Sequence, residues 1–221
     1  MQMLMACPTR GHVWYETAMA FAEIASLPEC DDAFYIHNRV SVLEARNLIL
    51  HEFLRSDHQL LLMMDDDVVP SFDILSMKAH FEDPEIGVVG SPCPMLRPGL
   101  PVTPNMYSIS EQDSHYAIDL SMALDPPRGT LVDVDAIGFG CVMISRSAAE
   151  SLGEFRERRS QEGEIFMSED IDACVRARSA GYRVCADLAC YSEHMVYIHA
   201  GAIAATLVNM LSSASEEGPN V

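Results

Sequence analysis

The chain is short of positive charge. Lys78 is its one lysine, and 14 basic residues stand against 33 acidic ones, for a formal net charge of −19. A surface that tracks phosphates needs clustered Lys and Arg, so this balance opposes tight binding to nucleic acid or to anionic membranes. It does not oppose a divalent cation. The seven cysteines, at 7, 30, 93, 141, 174, 185 and 190, include no Cys-x-x-Cys pair and form no regular framework. An odd number among apolar neighbours argues against a disulfide scaffold and predicts reduced, buried thiols in a cytoplasmic protein. No apolar run is long enough to span a bilayer. The N-terminus runs straight into Pro8-Thr9-Arg10, without the basic-then-apolar pattern of a secretory signal. No internal repeat is visible. A length of 221 residues leads us to expect one domain over residues 1–211, with a disordered polar tail over 212–221.

What the chain does have is Leu60-Leu61-Leu62-Met63-Met64 followed at once by Asp65-Asp66-Asp67. Five apolar residues in a row, bounded by polar ones, suit a strand buried on both faces of a parallel sheet. The three carboxylates cannot follow it inside, because an unpaired buried charge is too costly. They must emerge at the strand's C-terminal edge, where open α/β sheets place their ligands. On an extended backbone Asp65 and Asp67 would point the same way. Such hard oxygen ligands suit Mg²⁺ or Mn²⁺, with a phosphate completing the shell. The bland alternative is a solvated acidic turn.

Around this stretch, strand and helix patterns alternate. Strands are expected at Gln2–Cys7, Ala33–His37 and Ile86–Gly90, and helices at Trp14–Ser26, Ser41–Arg55 and Phe72–His80. Ser41 and Glu44 have the spacing of a capping box. This alternation predicts an α/β fold with a mostly parallel sheet flanked by helices. Prolines 92, 94, 98, 101 and 104 then exclude regular helix and mark an irregular crossing segment. Val102–Tyr107 and Tyr116–Leu120 are candidates for a smaller mixed sheet. Strands are expected at Leu131–Ile137 and Phe139–Ser145, around a Gly138-Phe139-Gly140 break, then a helix at Ser147–Leu152 and a charged loop over residues 153–163. A helix opened by Ser168 and closed by Gly181, a strand at Tyr182–Ala186 and a helix at Ala200–Leu211 complete the pattern.

Four further features bear on chemistry. Ser168-Glu169-Asp170 would present carboxylates at a helix start, where one can act as a general base; ordinary capping by Ser168 accounts for the same composition. Arg46 lies in the row of Leu43, Leu50 and Leu54, so it needs a partner, either a nearby aspartate or a ligand phosphate. Asn47 adds a donor and an acceptor beside it. His194 and His199 both follow the last strand, and His194, nearer the strand's end, is the candidate to complete a divalent site.

Together these residues resemble the nucleotide-sugar-dependent glycosyltransferases of the GT-A fold, closest to the small, inverting, family 2-like members of bacteria and phages. The landmarks stand in that family's order: Pro8-Thr9-Arg10-Gly11 after the first strand, Ala45-Arg46-Asn47, Met64-Asp65-Asp66-Asp67 as the DxD element, Gly138-Phe139-Gly140, Ser168-Glu169-Asp170 and a C-terminal histidine. The resemblance implies a Rossmann-like sheet with a smaller mixed sheet on the acceptor side. It implies that Pro8, Thr9 and Arg10 line the nucleotide base and that Arg46 and Asn47 reach the nucleotide or its diphosphate. Asp65 and Asp66 would lie against the donor, and Asp67, Asp65 and His194 would hold Mn²⁺ or Mg²⁺. Gly138, Phe139 and Gly140 would let the backbone approach the donor sugar, and Asp170 would be the catalytic base, oriented by Glu169. The donor so implied is a UDP-sugar, and the acceptor is a hydroxyl on a glycan or small molecule. A hydroxymethylated DNA base is disfavoured by the −19 charge, although Arg156, Arg158 and Arg159 could offer a local phosphate contact.

The Gln-x-x-Arg-Trp motif of processive members is absent, which disfavours polysaccharide synthesis. A retaining mechanism stays open should Asp170 not stand in line for attack. Two alternatives share the pattern. One is a nucleotidyltransferase, though such enzymes usually carry a Gly-rich loop with a lysine after the first strand. The other is a binding module without catalysis.

Overall fold

The apolar stretches become the strands of one seven-stranded sheet: β1 (Met3–Pro8), β2 (Asp32–Ile36), β3 (Leu60–Met64), β4 (Ile86–Gly90), β5 (Leu131–Asp133), β6 (Cys141–Ser145) and β7 (Arg183–Asp187). The computed structural model describes residues 1–9, 11–36, 40–96, 102–109, 116–118 and 131–196. Arg10, His199, the helix expected at 200–211 and the tail expected at 212–221 lie outside the described residues.

The spatial order is β5-β7-β4-β6-β3-β1-β2. Strands β1, β2, β3, β4 and β7 share one direction, while β6 and the edge strand β5 run against it. The fold is therefore a mostly parallel, Rossmann-like α/β architecture. The chain enters β6 at the edge where β3 ends, so β6 must run back down the sheet, antiparallel to both neighbours.

Alternation along the strands divides the interior into two cores. Leu4, Ala6, Leu61, Met63, Val142 and Ile144 face one side, where they meet α2 (Val42–Arg55), α3 (Arg146–Leu152) and α4 (Glu169–Ser179). Met3, Met5, Leu60, Leu62, Met64 and Met143 face the other, against α1 (Tyr15–Ala25) and a 3-10 run at Ile74–Glu82. A strand covered on both faces cannot afford a polar residue, which is why Leu60–Met64 is uninterrupted. All seven cysteines are free and buried. No helix among the described residues is long and apolar enough to cross a membrane.

Several expected elements differ. Leu131–Ile137 divides: Leu131–Asp133 pairs with β7, whereas Ala136–Ile137 joins a second sheet with Met106–Ile109 and Tyr116–Ile118. That smaller sheet is antiparallel in both pairings rather than mixed. In place of the α-helix expected at Phe72–His80, Ile74–Glu82 is a 3-10 run, and its buried Ile74 and Met77, three apart, suit a three-residue turn. The charged loop leads into a short ribbon, Arg158–Arg159 against Ile165–Met167.

The capping box forms: Glu44 N–H donates to Ser41 Oγ at 3.2 Å, and Ser41 N–H to Glu44 Oε2 at 2.9 Å. At the other end of α2, Arg146 donates through Nε to His58 O (2.6 Å) and through Nη2 to Phe53 O (2.8 Å) and Ser56 O (2.6 Å). Its guanidinium also lies 4.8 Å from the Phe53 ring centroid. A cation there adds donors to the carbonyls that gather at the end of the helix and complements the helix dipole. Arg146→Ala is expected to lower stability by about 3 kcal/mol, since hydrogen bonds to a charged group are individually strong. Urea denaturation would measure it, and Arg146→Lys should recover only part because an ammonium lacks the planar fork. An unchanged midpoint in Arg146→Ala would refute this role.

Candidate functional site

Strand β1 leads to β2 on one side, while β3 lies on its other side, so the strand order reverses between β1 and β3. The C-terminal ends at such a reversal open a crevice. Beside it a cavity of about 150 Å³ is bordered by Arg46, Asp65, Asp67, Asp170 and His194, with Gly138, Phe139 and Gly140 also lining it. The fold thus gathers residues spread from α2 to the last described strand.

Strand β3 stops at Met64, and the Asp65 N–H donates to Gly140 O at 2.8 Å. The chain turns, and Val68–Val69 pairs antiparallel with Glu193–His194, His194 opposite Val68. Met195 N–H adds a bond to Asp67 O at 2.7 Å. This short ladder sets His194 Nε2 at 3.3 Å from Asp67 Oδ2. The contact with Asp67, above all its hydrogen bond, holds the imidazole pKa above its usual 6.5 against the opposing effect of burial. Asp65 is engaged differently, with Arg46 Nη2 at 2.9 and 3.0 Å from its two oxygens. Burial pushes the Asp65 carboxyl up to about 6, against the pull of that guanidinium. Asp66 does not border the cavity; its carbonyl accepts from Trp14 N–H at 3.0 Å, tying the β1–α1 loop to the end of β3.

Both glycines stand where neighbours approach closely. A Cβ on Gly138 would stand 2.9 Å from Asn105 Nδ2, and one on Gly140 would stand 3.2 Å from Val68 and 3.4 Å from Cys93 Sγ. Asn105 is buried and joins two walls of the cavity: its Oδ1 accepts from Cys93 N–H at 2.8 Å and its Nδ2 donates to Gly138 O at 3.0 Å. The sequence pattern did not single it out, because the proline-rich segment around it has no period to read. Cys93 also borders the cavity, and burial pushes its thiol up to about 12, so it offers no thiolate.

At the start of α4, Ser168 makes no capping bond to the backbone. Its Oγ donates instead to Asp170 Oδ1 at 2.5 Å, and Ile171 N–H donates to the same oxygen at 2.8 Å. Glu169 Oε1 receives Arg46 Nη1 at 2.5 Å. Arg46 is thus paired with two carboxylates, the first of the alternatives its position allowed. Asn47 turns away from the cavity, its amide exchanging bonds with Phe155 N–H (2.7 Å) and Phe155 O (3.1 Å). Thr9 is buried and organises its own loop, donating to His12 O and accepting from Gly11 N–H, both at 3.0 Å. Neither Pro8 nor Thr9 borders the cavity, although their loop flanks the crevice. Arg156, Arg158 and Arg159 are ion-paired with Glu154, Asp172 and Glu157.

Among the described residues, no group of three or more His, Cys, Asp or Glu could hold a metal ion. Asp67 and His194 nonetheless fit as two ligands of a shared cation: atoms 3.3 Å apart can both bind at about 2.1 Å. Mg²⁺-type sites commonly take one or two protein ligands and complete the shell with water and phosphate oxygens.

No protein-family model matches the chain, and no curated protein matches it. Its fold is shared with solved structures. A197 from STIV matches with a TM-score of 0.56 at 20% identity, over 89% of this chain and 87% of that one. GalNAc-T7 with UDP, GalNAc and Mn²⁺ matches at 0.54 and 10% identity, over 90% of this chain but 44% of that one, so this chain spans less than half of that structure's length. CMP:2-keto-3-deoxy-manno-octonic acid synthetase complexed with CTP matches at 0.50 and 9% identity, over 97% of this chain and 100% of that one. The latter two are a glycosyltransferase and a nucleotidyltransferase. At such identities the likeness is one of fold.

Proposed function

We propose that the chain is a metal-dependent glycosyltransferase that moves a hexose from a nucleotide diphosphate sugar, a UDP-sugar in the first instance, to a hydroxyl acceptor. The observation that carries this reading is the convergence of Asp67, His194 and Asp170 on one cavity beside the crevice where the strand order reverses. The cavity carries Asp65, Asp67 and Asp170, and its one arginine already faces two carboxylates. An anionic diphosphate would be repelled there unless a cation came with it. Mn²⁺ or Mg²⁺ held by Asp67 and His194 would offset charge on the departing nucleoside diphosphate.

The chain's own residues do the rest. The loop after β1, at Pro8 and Thr9, would receive the nucleotide base, and the backbone at Gly138 and Gly140, which lines the cavity, would face the donor sugar. Asp170 accepts the proton of the acceptor hydroxyl as its oxygen bonds to the anomeric carbon and the bond from that carbon to the diphosphate breaks. Attack from the face opposite the diphosphate inverts the anomeric centre. A glycan or small-molecule hydroxyl is the preferred acceptor, because the three arginines considered for DNA phosphate are already paired.

The likeness to a CTP-bound synthetase over 97% of the chain favours a second reading, nucleotidyl transfer. Against it, the one lysine, Lys78, donates to Glu29 O at 2.7 Å and does not border the cavity.

A thermal-shift panel of nucleotide sugars and nucleoside triphosphates, with and without Mn²⁺, tests the proposal. Ligand at a hundred times its dissociation constant adds about 2.7 kcal/mol of apparent stability. One nucleotide diphosphate sugar should raise the melting temperature, and only with Mn²⁺. A shift with triphosphates alone would favour the second reading, and none with any donor would remove the first.

A further inference from the structure

We infer that Arg46 is a latch that holds the start of α4, and with it Asp170, against the donor side of the cavity; it is a positioning residue and not a ligand for phosphate. This rests on the transfer reaction proposed above. From the middle of α2, one buried guanidinium reaches three segments that are far apart in sequence. Nη2 binds both oxygens of Asp65 at the end of β3 and reaches Phe139 O at 3.3 Å in the glycine turn. Nη1 binds Glu169, the first residue of α4 and the neighbour of Asp170. Nε is buried with no partner among the described residues. Arg46 is 3% exposed, so no edge of the fork faces open solvent.

A diphosphate seeking the two Nη groups would have to displace Asp65 or Glu169 and leave a mostly buried carboxylate without its counter-charge, which is unfavourable, while Nε is enclosed. It would also approach past Asp65, Asp67 and Asp170. The geometry suits another task. Without Arg46, Glu169 has no cation to hold it, and the first turn of α4 follows an exposed ribbon whose Ile165 and Phe166 are 48% and 40% exposed. Ser168 then fixes Asp170 locally through Oδ1, but only relative to that same turn. Met167 and Ile171 anchor the turn in the core, and the Arg46–Glu169 bond adds the polar tie that registers its cavity side to β3 and the glycine loop. A planar fork can hold both carboxylates at once, whereas a lysine ammonium would reach one at a time.

The test uses Arg46→Lys and Glu169→Gln in the full chain, with three readouts: UDP binding with Mn²⁺ by calorimetry, nucleotide release from the donor, and hydrogen exchange at residues 169–172. Glu169→Gln keeps the shape and an acceptor oxygen, so it guards against a fold lost in Arg46→Lys. We expect both variants to bind UDP within about threefold of the native chain and to lose about a hundredfold or more in turnover, the scale of a mispositioned base. Exchange at residues 169–172 should rise by about tenfold in both. A tenfold weaker UDP affinity in Arg46→Lys alone would return the arginine to the phosphate and overturn the latch. Native-like turnover and exchange in both variants would also overturn it. Should the native chain bind no nucleotide, the transferase reading fails, and the exchange readout still decides whether Arg46 holds α4.

Discussion

Asp67→Ala is expected to abolish the stabilisation that a nucleotide sugar confers in the presence of Mn²⁺, with little cost to the fold. The side chain is 37% exposed and, among the described residues, meets His194 at 3.3 Å, so its removal leaves no buried partner charged and alone. What it removes is one of the two protein ligands proposed for the metal. Altering even an outer-shell partner of a metal ligand typically costs ten- to a hundredfold in affinity. A hundredfold loss would cut a stabilisation of about 2.7 kcal/mol to about 0.4 kcal/mol at the same ligand concentration. The pH dependence should have a matching sign. His194 must be neutral to bind metal, and its pKa lies above 6.5 because of Asp67, so the metal-dependent shift should be weaker at pH 6 than at pH 8. The metal-free protein should trend the other way. A histidine with a raised folded pKa stabilises fully below its unfolded value, and that contribution fades as pH rises through the folded one. Its partial exposure keeps this effect small. An undiminished Mn²⁺-dependent shift in Asp67→Ala would place the metal elsewhere and sink the proposed site.

How much of this was legible in the sequence depended on whether a residue's constraint was local. Leu60–Met64 could be read because burial on both faces forbids a polar residue, and Asp65 marks where burial ends. The Ser41–Glu44 box could be read because both partners lie within one turn. Gly138 and Gly140 stood out as a break, but what crowds them did not. Asn105 lies 33 residues from Gly138, in a segment whose prolines erase any periodicity. Arg46 is intermediate. Its place in a leucine row required a partner, yet Glu169, one of the two it takes, is 123 residues away and came within reach only through the topology. Asn47 shows the opposite error: adjacency to Arg46 suggested a shared ligand, but neighbours on a helix point about 100° apart, and Asn47 holds Phe155 instead. The reversed direction of β6 was illegible for a different reason: apolar alternation marks a strand but carries no direction.

The largest loss of activity is expected from Asp170→Asn, which should slow donor turnover by about 10²- to 10⁴-fold, the usual contribution of a general base. Nucleotide affinity should stay within about threefold. The substitution is unusually clean at this position. Ser168 Oγ and Ile171 N–H both donate to one oxygen, Oδ1, and the carbonyl of an asparagine can accept both bonds in the same place. The amide NH₂ then replaces the other carboxylate oxygen, so the shape persists while the capacity to take a proton is gone. Release of nucleoside diphosphate from the donor, with water standing in for the unknown acceptor, is the readout. If the variant binds as the native chain does and turnover collapses, Asp170 acts in the chemical step and the cavity is catalytic. If the native chain binds a donor but neither protein turns it over with any acceptor tried, the chain is a binding module, and Asp170 then serves only to finish the first turn of α4. Turnover within about threefold of native in Asp170→Asn would remove the base from the proposed mechanism, and with it the support for inversion, because direct displacement by a neutral hydroxyl needs a group to take its proton.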